Sequence, residues 1–227
     1  MEHADDLLRW AAALGVHLDN AQLENFSLYL RELLNWNQKT NLTRISDERD
    51  IALKHFIDSM ACTRAIAPNR GPFSLLDIGS GAGFPGIPLK LIHSHLSATL
   101  LEPNLKKTAF LHHVIGTLGL SDISVVSMRL EDYSRQPVRR RFTYAMTRAV
   151  NLWPILDCVV PLLEEDGRLI LCRSKPLDGH DASDSLLLER EIEYELPEGA
   201  GRRVLSMLKP KRQSVPRGTL RTGARHA

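Results

Sequence analysis

Cysteine is scarce in this chain: three residues in 227, Cys62, Cys158 and Cys172, far apart and with no C-x-x-C spacing. That excludes a disulfide framework and a zinc site, and it reads as a cytosolic chain whose three thiols are buried and inert. Long apolar runs are missing too, since no stretch approaches the roughly 20 residues that a membrane span needs. The acidic, polar start MEHADDLLRW has the character of neither a signal nor a transit peptide. No internal repeat or low-complexity tract precedes Lys211. With 43 % hydrophobic and 25 % charged residues, what remains is one globular domain, or a domain with an extension.

Acidic residues are absent from one region only. Residues 199–227 hold eight Arg or Lys and no acid, which leaves 21 basic and 27 acidic residues in 1–198. The net charge of +2 therefore hides a mildly acidic body and a basic tail. A polyanionic partner such as nucleic acid, or a solvated terminus, accounts for such a tail.

The first seventy residues carry apolar positions at helical spacing. DDLLRWAAAL is one helix, and DNAQLENFSLYLRELLNWNQ, with an N-cap at Asp19 or Asn20, is a second. DERDIALKHFIDSMACTRAI is a third, stopped by PNRGP. From Phe73 the pattern changes to short apolar runs alternating with helices. Strands are expected at Phe73–Ile78, Ala98–Glu102, Ile123–Met128, Phe142–Thr147 and Arg168–Cys172. Helices are expected at Pro85–Ser94, Asn104–Leu118 and Leu152–Leu163. Such alternation builds a mostly parallel sheet covered on both faces, with REIEYEL and RRVLSML as an antiparallel pair at its end. The expected organisation is a helical extension over 1–70, an α/β core over 71–210 and a basic tail over 211–227.

The stretch SLLDIGSGAGFPGIPLKLI joins a strand to a helix through glycines and fits two registers. Gly81-x-Gly83-x-x-Gly86 matches a dinucleotide fingerprint, but it begins two residues after the strand and places Pro85 and Pro88 in the first turns of the helix. Asp77-x-Gly79-x-Gly81-x-Gly83 instead sets an acid at the strand end before alternating glycines. That register is similar to motif I of the Rossmann-like methyltransferases, which bind S-adenosylmethionine. Without a pyrophosphate to hold, the helix N-terminus need not be open to an anion, while glycines still let the backbone approach the ligand. Asp77 is then placed to meet a cationic amino group, and Glu102, ending the next strand, to accept from ribose hydroxyls. Glu131 in SMRLEDY is placed either at an adenine edge or, with Asp132, as a capping pair of a short helix.

Signatures of particular methyl acceptors are absent. No Pro-Cys pair supplies a nucleophile for carbon methylation, and Thr147-Arg148-Ala149 stands where a D/N-P-P-Y/F turn would serve exocyclic amines. Arg148 suits an anion, a guanine O6/N7 edge or a cofactor carboxylate. Guanine N7 has an in-plane lone pair and needs no general base, so the lack of an acid–base constellation is compatible with attack by that atom.

TNLTRISDERDIALKHFIDSM, LLDIGSGAGFPGIPL, LLEPNLKKTAFL and TRAV together resemble the RsmG family (older name GidB), from about Leu33 to Arg173 and more loosely to Lys209. The resemblance implies a class I, Rossmann-like α/β methyltransferase with a seven-stranded sheet and a helical N-terminal extension, acting on guanine N7 of 16S ribosomal RNA with S-adenosylmethionine. It implies cofactor contacts at Gly79, Phe84, Leu130, Glu131 and Arg148. Asn41, Lys54, His55, Asp58 and Ser59 match positions near the site. From spacing alone Lys54 and Asp58 are a helix-face pair, Lys106 and Lys107 approach RNA or form a solvated face, and Arg139–Arg141 lie in a solvated loop. Departures from the family are Glu102-Pro103-Asn104-Leu105-Lys106-Lys107 for the usual Asp-Ser-x-Gly-Lys-Arg and Cys172-Arg173-Ser174-Lys175 for Leu-Lys-Gly. The expected partner is small-subunit ribosomal RNA or a ribosomal particle, with no membrane and no metal, and the chain is expected to be monomeric. Rival readings are a methyltransferase of another RNA or a small molecule, a non-catalytic RNA- or nucleotide-binding module, and, more distantly, a nicotinamide oxidoreductase.

Overall fold

The structure is a computed structural model that describes residues 3–68, 71–137, 140–148, 153–177 and 183–211. The basic tail beyond Lys211, and Arg139 of the arginine run, lie outside these residues.

The chain opens with α1 (Ala4–Ala13) and α2 (Asn20–Thr40). Asp19 starts α2 through a capping box: its carboxylate accepts from Gln22 N at 2.7 Å, and Gln22 Oε1 accepts from Asp19 N at 3.0 Å. Asn41 ends it in the left-handed conformation, φ 50°, as a C-cap. The third expected helix is continuous in space but changes its winding. It runs as α3 (Glu48–Ile51), a π-helical turn (Ala52–Ile57), α4 (Asp58–Met60) and a 3₁₀ turn (Ala61–Ala65).

The sheet has the order β3-β2-β1-β4-β5-β7-β6. Its strands are β1 (Phe73–Ile78), β2 (Leu96–Leu101), β3 (Ile123–Val126), β4 (Phe142–Arg148), β5 (Leu163–Arg173), β6 (Leu186–Glu195) and β7 (Arg202–Pro210). β1 to β5 pair in parallel, while β7 runs antiparallel to both β5 and β6. Helices α5 (Gly86–Ile92), α6 (Leu105–Thr117) and α7 (Leu130–Ser134) connect the first strands. The α/β architecture with a parallel sheet and a terminal antiparallel pair is therefore as read from the sequence.

Three expectations are corrected. The helix expected over Leu152–Leu163 is two 3₁₀ segments, Trp153–Cys158 and Val160–Leu162, and Pro161 lacks the amide that an α-helix would need at that point. β5 begins at Leu163 rather than Arg168, because the polar run Glu164–Asp166 bulges from the ladder and still belongs to the strand. β3 ends at Val126, and Met128 turns into the loop before α7.

The two faces of β1 bury different layers. Leu75 joins a core with Phe26, Tyr29, Phe56, Met60 and Phe110, so the N-terminal helices and the sheet share one apolar interior. Leu76 and Ile78 face a second cluster with Phe142, Leu162 and Leu169. By the two-residue period of a strand, Asp77 points to the same side as Leu75, beneath the N-terminal helices. Tyr29, fully buried, donates its hydroxyl to Ala82 O of the glycine turn and stacks on Phe84 at 5.5 Å. Burying a side chain of this size stabilises by about 1.5–3 kcal/mol, and here that energy ties the helical extension to the glycine turn.

Candidate active site

Parallel strands expose their carboxyl ends on one edge of the sheet, and there the ends of β1, β2 and β4 and the turn before α7 enclose a cleft of ≈ 520 Å³. Its wall includes Gly79, Gly81, Phe84, Glu102, Leu130, Glu131 and Arg148, so seven of the nine expected cofactor residues meet in one place. Ile78, Leu101 and Met128 add apolar surface, and Lys107 and Arg129 add cations. Gly81 holds φ 61°, a left-handed conformation suited to glycine, and a Cβ there would have no neighbour nearer than 3.9 Å.

The other two expected residues act from behind the wall. Gly83 admits Tyr29, whose hydroxyl would lie 2.6 Å from an added Cβ. Asp77 is fully buried, and its Oδ2 accepts from Gly86 N at 2.9 Å. Its Oδ1 has no hydrogen-bond partner among the described residues, and burial pushes the carboxyl up to about 7. Gly86 leaves room for this contact: a Cβ would stand 2.4 Å from Leu100 and 2.7 Å from Asp77. The first amide of α5 is thus occupied by the protein's own carboxylate. A ligand pyrophosphate, which would use that amide and the positive end of the helix, finds it taken. The two prolines fit this start, with Pro85 as N-cap and Pro88 in the first turn, where an amide would lack an intrahelical acceptor.

Glu102 is 5 % exposed and organises its side of the cleft, its Oε2 accepting from Gly81 N at 2.8 Å and its Oε1 from Asn104 N at 2.9 Å. Each carboxylate oxygen has a second lone pair, so the group can still accept from a vicinal diol. Glu131 and Asp132 stand in the first turn of α7, and Glu131 faces the cleft. A glycine-lined floor, apolar walls and a carboxylate at the end of β2 fit a nucleoside without a pyrophosphate.

A second cleft, ≈ 590 Å³, adjoins the first and shares His55 and Arg148 with it. Five cations line it, Lys54, Arg148, Arg173, Lys175 and Arg203, against Asp58. Arg173, the last residue of β5, and Lys175 belong to the stretch that departs from the family pattern. The wall between the clefts is Arg148. Its Nη1 donates to Lys54 O at 3.0 Å and to Asp58 Oδ2 at 3.2 Å, its Nη2 donates to His55 Nδ1 at 2.9 Å, and its guanidinium lies 5.2 Å over the Phe84 ring. His55 stacks on the same ring at 4.6 Å. His55 Nδ1 faces both the Arg148 guanidinium, which only donates, and the Lys54 carbonyl at 3.1 Å, which only accepts; with Arg148 the nearer, Nδ1 takes the lone pair and Nε2 donates to Thr43 Oγ1 at 2.9 Å. Burial, then the Arg148 charge, lower the imidazole to about 3, so it is neutral near pH 7.

The π-helical turn explains how these groups converge, because it puts the Lys54 carbonyl and the His55 ring on the Arg148 guanidinium together. The expected Lys54–Asp58 pair does not form. Lys54 pairs with Asp50 at 2.8 Å, while Asp58 turns inward to Arg148, to the Tyr194 hydroxyl at 2.8 Å and to Arg203 at 3.6 Å. Asn41 is exposed and lies outside both cleft walls, whereas its neighbours Leu42 and Thr43 line the first. Thr43, Arg129, Tyr194 and Arg203 were not singled out from the sequence. Only the chain neighbourhood of NLT pointed to Thr43, and nothing local marked Tyr194 or Arg203, which arrive from the antiparallel pair.

Comparisons with known proteins give the family and the fold. The family profile GidB, described as rRNA small subunit methyltransferase G, matches residues 22–203. Ribosomal RNA small subunit methyltransferase G of Roseiflexus castenholzii is 43 % identical over 176 residues, covering 77 % of this chain and 74 % of its own. The protein of the same description from Acetivibrio thermocellus is 35 % identical over 225 residues, covering 96 % and 92 %. Among solved structures, a mutant of MtNAS in complex with S-adenosylmethionine superposes with a TM-score of 0.58 at 13 % identity, over 91 % of this chain and 77 % of that one. That likeness speaks for the fold alone. With the profile spanning most of the sequence and relatives at 35–43 % identity matched over about three quarters or more of both chains, the chain belongs to the family of ribosomal RNA small subunit methyltransferase G.

Proposed function

We propose that this protein transfers a methyl group from S-adenosylmethionine to N7 of a guanine in small-subunit ribosomal RNA. The observation that carries the reading is the contact of two unlike clefts through one wall, His55–Arg148–Phe84. The first has the walls of a nucleoside site, and the second has the cations that a phosphate backbone calls for. When bound, S-adenosylmethionine supplies an electrophilic methyl on a sulfonium.

The residues of the chain bind and align. Gly79 and Gly81 offer backbone to the ligand, Glu102 stands ready for the ribose hydroxyls, and Leu130 and Met128 flank the base. Among the described residues the wall offers no general base: His55 uses its lone pair on Arg148 and its proton on Thr43, and Asp58 is held by Arg148, Tyr194 and Arg203. A nucleophile that must first lose a proton is badly served by that arrangement, whereas guanine N7 attacks as it stands. Arg148 reaches both clefts and is the group suited to orient the incoming purine.

The test is labelled methyl transfer to small ribosomal subunits that lack the modification, followed by mapping of the base. Label on N7 of one guanine is expected. Label on another atom, or none while calorimetry still registers S-adenosylmethionine binding, overturns the substrate reading; binding of NAD in its place overturns the cofactor.

A further inference from the structure

Two thiols 110 residues apart meet between the helix that carries His55 and the end of β5, with their sulfurs 3.5 Å from one another. Cys62, in the 3₁₀ turn Ala61–Ala65, is fully buried. Cys172, one residue from the end of β5, forms part of the wall of the basic cleft. A disulfide bond is about 2.05 Å long, so closure asks for an approach of about 1.5 Å. The third cysteine, Cys158, packs with the apolar cluster on the other face of the sheet.

The location gives the pair its meaning. Cys172 is the ladder partner of Arg148 across β4 and β5, and the Cys62 thiol lies 3.7 Å from the carbonyl of Asp58. The sulfurs therefore sit beside both halves of the Arg148–Asp58 ion pair. We propose that Cys62 and Cys172 are a reversible oxidation site: a hydroperoxide converts them to a disulfide that pulls the His55 helix and the end of β5 together, disturbing the basic cleft most and the nucleoside cleft only at the shared wall of His55 and Arg148. Its effect on turnover rests on the function proposed above; the cross-link itself does not.

The chemistry closes with two electrons. The accessible Cys172 thiolate attacks the peroxide oxygen, an S–O bond forms as the O–O bond breaks, and the departing oxygen takes a proton and leaves as an alcohol, or as water from hydrogen peroxide. The Cys62 sulfur then attacks the sulfenic sulfur, the S–S bond forms, the S–O bond breaks, and the hydroxyl leaves as water with the Cys62 proton. A dithiol reverses the change. Because its partner thiol and burial hold the Cys62 proton tightly, the second step accelerates as pH rises.

The experiment uses the reduced full-length chain. Its methyl transfer to small subunits and its S-adenosylmethionine affinity are measured before and after hydrogen peroxide, and the disulfides are mapped by mass spectrometry without reduction. The expected product has lost two hydrogens, links the Cys62 and Cys172 peptides and leaves Cys158 free. Methyl transfer should fall about tenfold or more, as displacements near 1 Å at a site can cause. The cofactor dissociation constant should rise by a smaller factor than methyl transfer falls, because only His55 and Arg148 of the nucleoside cleft adjoin the moved elements, and dithiothreitol should restore activity. Cys62→Ala should keep basal activity and resist the peroxide, with Cys62→Ser in its place if that variant folds poorly. Sulfinic acid at Cys172, or dimers through Cys158, without the Cys62–Cys172 link overturns the site. The link with undiminished turnover overturns the regulation. Reduced protein inert on small subunits contradicts the proposed function instead, while the mapped cross-link is judged separately.

Discussion

Asp77 and His55 depart from their ordinary pKa values in opposite directions, and the consequence is a cancellation that single substitutions should expose. Burial raises Asp77 to about 7 and, with the Arg148 charge, lowers His55 to about 3. Unfolded, the two titrate near 3.9 and 6.5. Between about pH 4.5 and 6 the folded chain holds a proton on Asp77 that the unfolded chain lacks, and it lacks a proton on His55 that the unfolded chain holds. A histidine depressed on folding stabilises above pH 6.5 and loses that contribution as pH falls, by about 1.4 kcal/mol per pH unit. A carboxyl raised on folding does the reverse and gains about 1.4 kcal/mol per unit as pH falls. In the wild type the two slopes offset. Asp77→Asn imitates the protonated carboxyl and keeps an acceptor for Gly86 N, so the His55 slope appears alone. Relative to wild type, its stability should drop by about 2 kcal/mol from pH 6 to 4.5. His55→Gln, a neutral donor and acceptor, should gain about 2 kcal/mol over the same interval. Urea unfolding at four pH values, with m-values checked for constancy, reads both slopes free of any fixed offset. Three parallel curves would refute the reasoning.

Glu102→Ala removes the acceptor of two backbone amides as well as the carboxylate proposed for the ribose. Calorimetry should give S-adenosylmethionine binding weaker by about 1–3 kcal/mol, and an unchanged dissociation constant would deny Glu102 that role. Asp58→Asn and Tyr194→Phe should couple in a double-mutant cycle of unfolding by about 1.5–3 kcal/mol, the range for a hydrogen bond to a charged group. Additive effects would mean that the 2.8 Å contact contributes nothing. Removing residues 212–227, which carry four arginines, should weaken RNA binding and flatten its dependence on salt. Equal salt slopes would make the tail a spectator.

The strand ends were legible because apolar runs, glycines and acids alternate along the chain in a fixed order. Asp77 is the last residue but one of β1 and Gly79, Gly81, Glu102 and Glu131 follow strands, and parallel connections bring such positions to one edge. The N-cap at Asp19, one of two positions the sequence offered, was legible for a similar local reason, whereas the Gln22 half of its capping box came from the structure. What escaped was longer in range. Nothing in DERDIALKHFIDSM announces a π-helical turn, whose extra residue is stabilised by what packs on it rather than by propensity. The i, i+4 spacing of Lys54 and Asp58 suggested a surface pair, yet Asp58 faces inward because Arg148, Tyr194 and Arg203 converge there from three strands. Cys62 and Cys172 looked isolated for the same reason: 110 residues separate them in sequence.

The glycine turn also answers a question that its spelling left open. Gly81-x-Gly83-x-x-Gly86 fits a pyrophosphate motif letter by letter, but the motif works only if the helix N-terminus is free for the ligand. Here Asp77 Oδ2 accepts from Gly86 N, and Gly86 allows that contact only because it has no Cβ to collide with Leu100 and Asp77. The last glycine of the apparent dinucleotide motif therefore serves the carboxylate that closes it. With the helix end sealed from beneath, what the cleft still presents is the backbone at Gly79 and Gly81 and the Glu102 carboxylate across from it. The same buried acid and the Phe84 that follows Gly83 connect this floor to the wall built on Arg148, whose charge acts on both Asp77 and His55. Substitutions at that wall should consequently be felt in both clefts, since His55 and Arg148 line the two of them.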